Sequence, residues 1–140
     1  KINNKNLKIK YLGRYSDDYA KDGIDLIPPV DVENLSKIIP EHDIYLTASL
    51  EEAGANHVLE GLSAGLPVLY RKNGGSICEY CKGYGLEYEN FDSLINRISD
   101  IDKNYEDYKT KVMSYKDDIG LSISNYVKLI STIGTVNEKN

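Results

Sequence analysis

The chain has 140 residues and a mass of 15.7 kDa, with 22 acidic and 17 basic side chains and a formal charge of -5. That length fits one domain able to bury roughly 70% of its unfolded surface without metal or disulfide staples. The acidic balance, with a pI near 5.0, argues against a nucleic-acid binder, because phosphate neutralisation needs clustered Lys and Arg. No apolar run approaches the ~20 residues of a membrane span, and no signal-peptide pattern is read. The first residue is Lys1 rather than Met, as expected of a processed or partial chain.

The elements follow in chain order. Leu7 to Leu12 alternates apolar and polar residues and stops at Gly13, as a half-exposed strand does. Ser16 to Gly23 is polar and reads as a loop. Ile24 to Ile27 is a second strand, closed by Pro28-Pro29, which cannot donate to a sheet ladder. Asp31 is placed to cap a helix through Ile39, with Val32, Leu35, Ile38 and Ile39 on one face. Ile44 to Thr47 is a third strand, followed by a loop from Ala48 to Gly54 and a helix from about Ala55 to Ala64. Gly65 sits where a left-handed residue ends such a helix, and Pro67 forbids continuation.

Val68 to Tyr70 is strand four, Lys72 to Gly75 a loop, Ile77 to Cys81 a helical turn, and Leu86 to Tyr88 a short fifth strand. Phe91, Leu94, Ile95 and Ile98 have helical spacing. From Lys103 onward helices are expected, interrupted at Gly120, with a stripe of Tyr105, Tyr108, Val112 and Tyr115 that reads as half-buried packing. Val127, Ile130 and Ile133 line a last helix, and Asn137 to Asn140 should fray.

Cys78 and Cys81 form a lone Cys-x-x-Cys. With no second pair, and with His42 and His57 far apart, a zinc site lacks ligands. The flanking residues do not suit a thioredoxin-type redox turn, so two reduced structural thiols one helical turn apart are expected, in a cytoplasmic setting.

Strands alternating with helices through short loops predict an α/β fold with a parallel sheet covered on both faces. Ligands of such sheets bind beyond the carboxyl ends of the strands, where helix N-termini also point. There Glu52 and Glu60, separated by seven residues, flank the amides of about Gly54 to Asn56. Amide donors and a helix dipole suit an anion, and the two carboxylates suit hydroxyls on either side of it. A diphosphate joining a ribose to a sugar has that layout. On spacing alone, a solvated Glu52 and a water-facing Glu60 on an ordinary helix fit as well.

The surrounding residues add a resemblance. Asp43-Ile44-Tyr45-Leu46-Thr47-Ala48-Ser49-Leu50-Glu51-Glu52-Ala53-Gly54, then Val58-Leu59-Glu60-Gly61-Leu62-Ser63-Ala64-Gly65-Leu66-Pro67-Val68-Leu69, resembles the donor-site signature of retaining GT-B glycosyltransferases of the family 4-like type. Gly74-Gly75 followed by Glu79 is similar to that family's next loop, and the likeness runs from about Leu7 to Ile98. The resemblance implies a Rossmann-like three-layer domain over residues 1–140, the C-terminal lobe of a GT-B fold. It implies that Glu52 is the catalytic-site residue accepting donor-sugar hydroxyls, that Glu60 holds the ribose, and that Gly54, Ala55 and Asn56 meet the diphosphate. Gly74, Gly75 and Glu79 would complete the donor site, with Pro28 and Pro29 near the base. The co-substrate is a nucleotide-diphosphate sugar, with no cofactor and no tightly bound metal.

The sequence departs from the family at three places. The usual Glu-Gly-Phe-Gly opening is Glu52-Ala53-Gly54-Ala55, followed by Asn56-His57, which leaves the donor sugar open. Nothing upstream of Leu7 matches the family's first strand or its Arg and Lys phosphate clamp, and the acceptor domain is missing. Tyr84 to Tyr88 replaces a Gly-rich loop and an apolar strand. The expectation is therefore an incomplete donor lobe, inactive alone, whose sheet must re-pair or carry a gap. Its open edges would allow pairing between copies. The glycan acceptor would reach it through the missing domain, in an enzyme working in the cytoplasm or at the inner face of the membrane. The alternative reading is a non-catalytic α/β module that keeps the scaffold for a nucleotide or a protein partner. Of the remaining polar residues, Asp100-Ile101-Asp102 reads as surface charge and His57 as a capping or packing residue before a base, while Arg14, on the loop after the first strand, reads as a loop residue before a phosphate contact.

Overall fold

The computed structural model describes residues 7–18, 23–115, 124 and 127–131. Its strands are β1 (Ile9–Leu12), β2 (Ile24–Ile27), β3 (Tyr45–Leu46), β4 (Val68–Arg71) and β5 (Gly85–Tyr88). Its helices are α1 (Val32–Ile38), α2 (Asn56–Ser63), α3 (Ser76–Tyr80), α4 (Phe91–Lys103) and α5 (Tyr105–Met113), with a 3-10 turn at Ile39–Glu41. Residues 127–131 are helical, with Val127 and Ile130 exposed, whereas the expected break at Gly120, Ile133 and the fraying end from Asn137 lie outside the described residues.

All strand pairs are parallel, as the α/β alternation requires. They fall into two sheets, β1–β2 and β3–β4–β5, in place of one continuous sheet. The three-stranded sheet has helices on both faces. β4 shows how: Val68 and Tyr70 point into one cluster with Val58 and Leu62 of α2 and Ile77 of α3. Leu69 points the opposite way, to Tyr88 and to Ile101, Leu94 and Ile98 of α4. Successive strand residues face opposite sides, so β4, covered twice, is apolar and buried at each position from Val68 to Tyr70.

Helix ends are set by local chemistry. Asp31 caps α1 by accepting the Asn34 N–H at 2.8 Å, and Asn90 and Ser93 form a reciprocal capping box on α4. α2 ends as its sequence predicts: Gly65 lies at φ +77, its N–H reaches the Leu62 carbonyl at 2.9 Å, and the Leu66 N–H reaches that of Gly61 at 3.0 Å. α5 closes the amino end of the larger sheet. Met113 packs against Gly65, and Tyr115 meets Tyr84 edge-to-face at 5.1 Å, next to the starts of β4 and β5. Tyr105 and Tyr108 join the α4 side of the core, which bears out the tyrosine stripe as packing.

The β1–β2–α1 segment differs in kind. None of the described residues from 7 to 42 is buried, and Val32, expected on the inner face of α1, is 80% exposed. Phe91 and Leu46 also remain exposed. The core of the described chain therefore lies in the β3–β4–β5 layers.

Candidate functional site

Parallel pairing puts the loops after β3 and β4 at the same, carboxyl edge of the sheet, opposite α5. The two loops are stitched together. The Glu51 N–H donates to the Asn73 carbonyl at 3.0 Å, the Glu52 N–H to the Gly74 carbonyl at 3.3 Å, and the Ser76 N–H to the Glu52 carbonyl at 2.9 Å. Glu52 and Gly75 thereby form a parallel bridge beyond the ends of the strands. Ser76 adds a clamp: its Oγ donates to the Glu52 carbonyl at 2.9 Å and accepts the Ala55 N–H at 3.2 Å. Glu51 and Asn73 both have positive φ, +53 and +64. Asn tolerates that conformation; Glu does so at a cost of order 1–2 kcal/mol, and strain of this sort collects at functional loops.

Glu52 is thus held by its backbone while its side chain stays about one-third exposed. Its Oε1 lies 3.5 Å from Nδ1 of His57, in the first turn of α2, and Nε2 of the same ring lies 3.1 Å from Oγ1 of Thr47. Thr47, at the end of β3, is 6% exposed and is fixed from several sides. Its Oγ1 accepts the Ser49 N–H at 3.3 Å, its carbonyl accepts the Tyr88 hydroxyl at 2.9 Å, and its N–H meets the Leu69 carbonyl at 2.9 Å. Carboxylate, imidazole and hydroxyl occur in the order of a hydrolase relay. The hydroxyl here is buried and already accepting a backbone N–H, so it is not presented as a nucleophile.

Tyr45 lies two residues before Thr47 on the same face of β3. Its ring lies under Gly61, where a Cβ would stand 2.6 Å from the ring, and 6.3 Å from that of His57. Burial, then the carboxylates of Glu60 and Glu52, push its phenol up to about 12. Both glutamates singled out by their spacing therefore raise the same phenol. Glu60 itself is exposed on α2, as is Glu79 on α3. At the α2 N-terminus, the Ala55 N–H is taken by Ser76 and the Asn56 N–H by the Gly54 carbonyl at 3.0 Å. Among the described residues, the N–H groups of Gly54 and His57 have no acceptor.

Pro28 and Pro29 are exposed after β2, on the other sheet from Glu52. Arg14 is also exposed, on the loop after β1. A cation that the sequence reading passed over, Arg71, ends β4, and its charge pulls down the Tyr88 phenol against the larger upward push of burial. Thr47, Tyr45 and Ser76 were likewise unread. The signals were the shared strand face of Tyr45 and Thr47 and a hydroxyl directly after Gly74-Gly75. His57, expected to cap or pack, lies beside Tyr45 and also bridges Thr47 and Glu52.

The remaining polar candidates are structural. Asp100 accepts the Tyr108 hydroxyl at 3.2 Å and the Asn104 side-chain amide at 3.1 Å, and no metal-binding cluster occurs among the described residues. Cys78 and Cys81 are free thiols; Cys81 is fully buried, and burial, then the neighbouring Cys78, pushes it up to about 12. No helix among the described residues is long and apolar enough to cross a membrane. No protein-family model matches the chain, and no curated protein matches it either.

Proposed function

We propose that the chain is the nucleotide-sugar-binding half of a retaining glycosyltransferase that builds a glycan or glycoconjugate. The observation that carries this reading is the convergence on Glu52 of the loops after β3 and β4, at the carboxyl edge of a parallel sheet. Such an edge is where α/β folds take nucleotides. Glu52 accepts hydroxyls of the donor sugar, and Glu60 those of the ribose. The diphosphate lies between them at the α2 N-terminus, against the N–H groups of Gly54 and His57, which have no acceptor among the described residues. Chemistry at such a site is electrostatic: oriented donors stabilise the departing nucleoside diphosphate while positive charge develops on the sugar. The acceptor is brought by a second domain, and this site binds the donor.

Saturation-transfer NMR with a panel of nucleotide sugars tests the reading. Ribose and sugar protons should saturate in the unaltered chain. Glu52→Ala should weaken the sugar signals and Glu60→Ala the ribose signals, each with roughly tenfold loss of affinity and unchanged circular dichroism. Binding that ignores both substitutions would favour the alternative of a module serving another partner. Silence toward the whole panel would refute the donor reading for this chain.

A further inference from the structure

We propose that Thr47 and His57 act as a positioning pair for Glu52, fixing one imidazole tautomer so that a ring N–H faces the carboxylate that reads the donor sugar. The inference rests on the donor-site reading, and it starts from hydrogen-bond accounting at Thr47. Its Oγ1 already accepts the Ser49 N–H at 3.3 Å, which leaves its own proton to be donated. The acceptor in reach is Nε2 of His57, at 3.1 Å. A neutral ring that accepts at Nε2 carries its proton on Nδ1, and Nδ1 is the atom 3.5 Å from Oε1 of Glu52.

The opposite tautomer is penalised twice. It would point a lone pair of Nδ1 at the carboxylate, and it would leave the buried Thr47 proton without that acceptor. The Thr47 backbone is held, its carbonyl by the Tyr88 hydroxyl and its N–H by the Leu69 carbonyl. A rotated hydroxyl finds no other acceptor among the described residues. The ring is therefore anchored on its β3 side, and its free nitrogen reaches the one carboxylate that needs orienting. A small rotation of Glu52 closes 3.5 Å to a charge-assisted hydrogen bond. With Oε1 so engaged, Oε2, which has no partner among the described residues, is left for a sugar hydroxyl. The two side chains select which rotamer of Glu52 meets the sugar, whereas toward the diphosphate His57 offers only its backbone N–H.

The ring nitrogens report this without any ligand. His42 supplies an internal reference, because its Nδ1 lies 2.9 Å from the Ile38 carbonyl, which can only accept. In a chain labelled with nitrogen-15 histidine, assigned with His42→Gln, His57 should show Nδ1 protonated and Nε2 bare, like His42. Thr47→Val should mix the tautomers. In the second arm, affinities for the best-binding nucleotide sugar and for its free nucleoside diphosphate are compared. His57→Ala, which keeps the backbone N–H that faces the diphosphate, should weaken the nucleotide sugar roughly tenfold and leave the diphosphate within about twofold, with no further loss when combined with Glu52→Gln. A His57 ring protonated on Nε2, or mixed in the unaltered chain, overturns the positioning pair even if nucleotide sugars bind. Equal losses for sugar and free diphosphate do the same. If the Nδ1 tautomer holds but no nucleotide sugar binds, the donor-site reading fails, and the sugar-positioning role falls with it.

Discussion

Gly75 is the point through which the fold holds Glu52, and replacing it with Ala separates backbone geometry from side-chain chemistry. Two costs are combined there. Its backbone lies at φ +67 and ψ -130, a region nearly closed to residues with a Cβ, at a cost of order 1–3 kcal/mol. A Cβ at this position would also collide with the Glu52 carbonyl oxygen and stand 2.8 Å from the Glu52 nitrogen and 3.1 Å from the Glu51 carbonyl carbon. These atoms are all backbone, so no side chain can swing aside. Relief requires the two loops to part, breaking the bonds from Glu52 N to Gly74 O and from Ser76 N to Glu52 O, each worth about 1 kcal/mol. Gly75→Ala should therefore cost about 3–5 kcal/mol, a large share of a domain's total of ~5–15 kcal/mol. Gly83→Ala measures the backbone cost alone, because Gly83 has φ +89 but nothing within 4 Å of its would-be Cβ; about 1 kcal/mol is expected. Gly54→Ala, with no positive φ and open space around it, should stay within ~0.5 kcal/mol of neutral. Urea unfolding followed by circular dichroism reads all three, the first as a midpoint shift of roughly 1–3 M. If Gly75→Ala costs no more than Gly83→Ala, the loops are not clamped through Gly75 and the account of how Glu52 is held is wrong.

Two further outcomes follow from the same core. Gly61→Ala would push a Cβ to 2.6 Å from Cγ of Tyr45, an overpacking cost of about 1–3 kcal/mol. Adding Tyr45→Leu should recover part of that loss, and strict additivity of the two in urea unfolding would show that the ring does not lie under Gly61. Alkaline pH should destabilise the fold: Cys81 and Tyr45 are held near 12 when folded, against ordinary values of 9.0 and 10.0. Between those values the unfolded chain releases protons that the folded chain keeps, so stability is full below about pH 9 and falls as pH rises towards 12. Comparing urea midpoints at about pH 8 and about pH 10.5 should show the drop, smaller in Cys81→Ala than in the parent; equal midpoints would contradict the burial of both groups.

What the sequence made legible, and what it hid, divide along one physical line. Signals that act within a few residues came through: Gly65 and Pro67 ended α2, Asp31 capped α1, and the seven-residue interval put Glu52 and Glu60 on a loop and its following helix. Apolar spacing, in contrast, marks a face without saying what covers it. Leu94 and Ile98 found a sheet beneath them, whereas Val32 has the same helical logic and 80% exposure. The difference is that α4 packs on a face of the three-stranded β3–β4–β5 sheet, while α1 follows β2 in a sheet of two strands. The site divides in the same way. Its carboxylates were visible as a local interval. Their setting comes from Tyr45 and Thr47 on β3, His57 on α2, Ser76 opening α3 and Tyr88 on β5, which are brought together by parallel pairing of elements up to 41 residues apart, as between Thr47 and Tyr88. No local pattern links a hydroxyl on one strand to an imidazole ten residues later. Once β3 is known to end at that edge, alternation puts Tyr45 and Thr47 on the α2 side together, and the four-residue helical interval aligns His57 with Gly61 above them. Gly61 is then required by the Tyr45 ring, and His57 by the Thr47 hydroxyl. Gly61 and His57 thus answer to two contacts of one strand face, and a change to either strand residue should demand a change on α2.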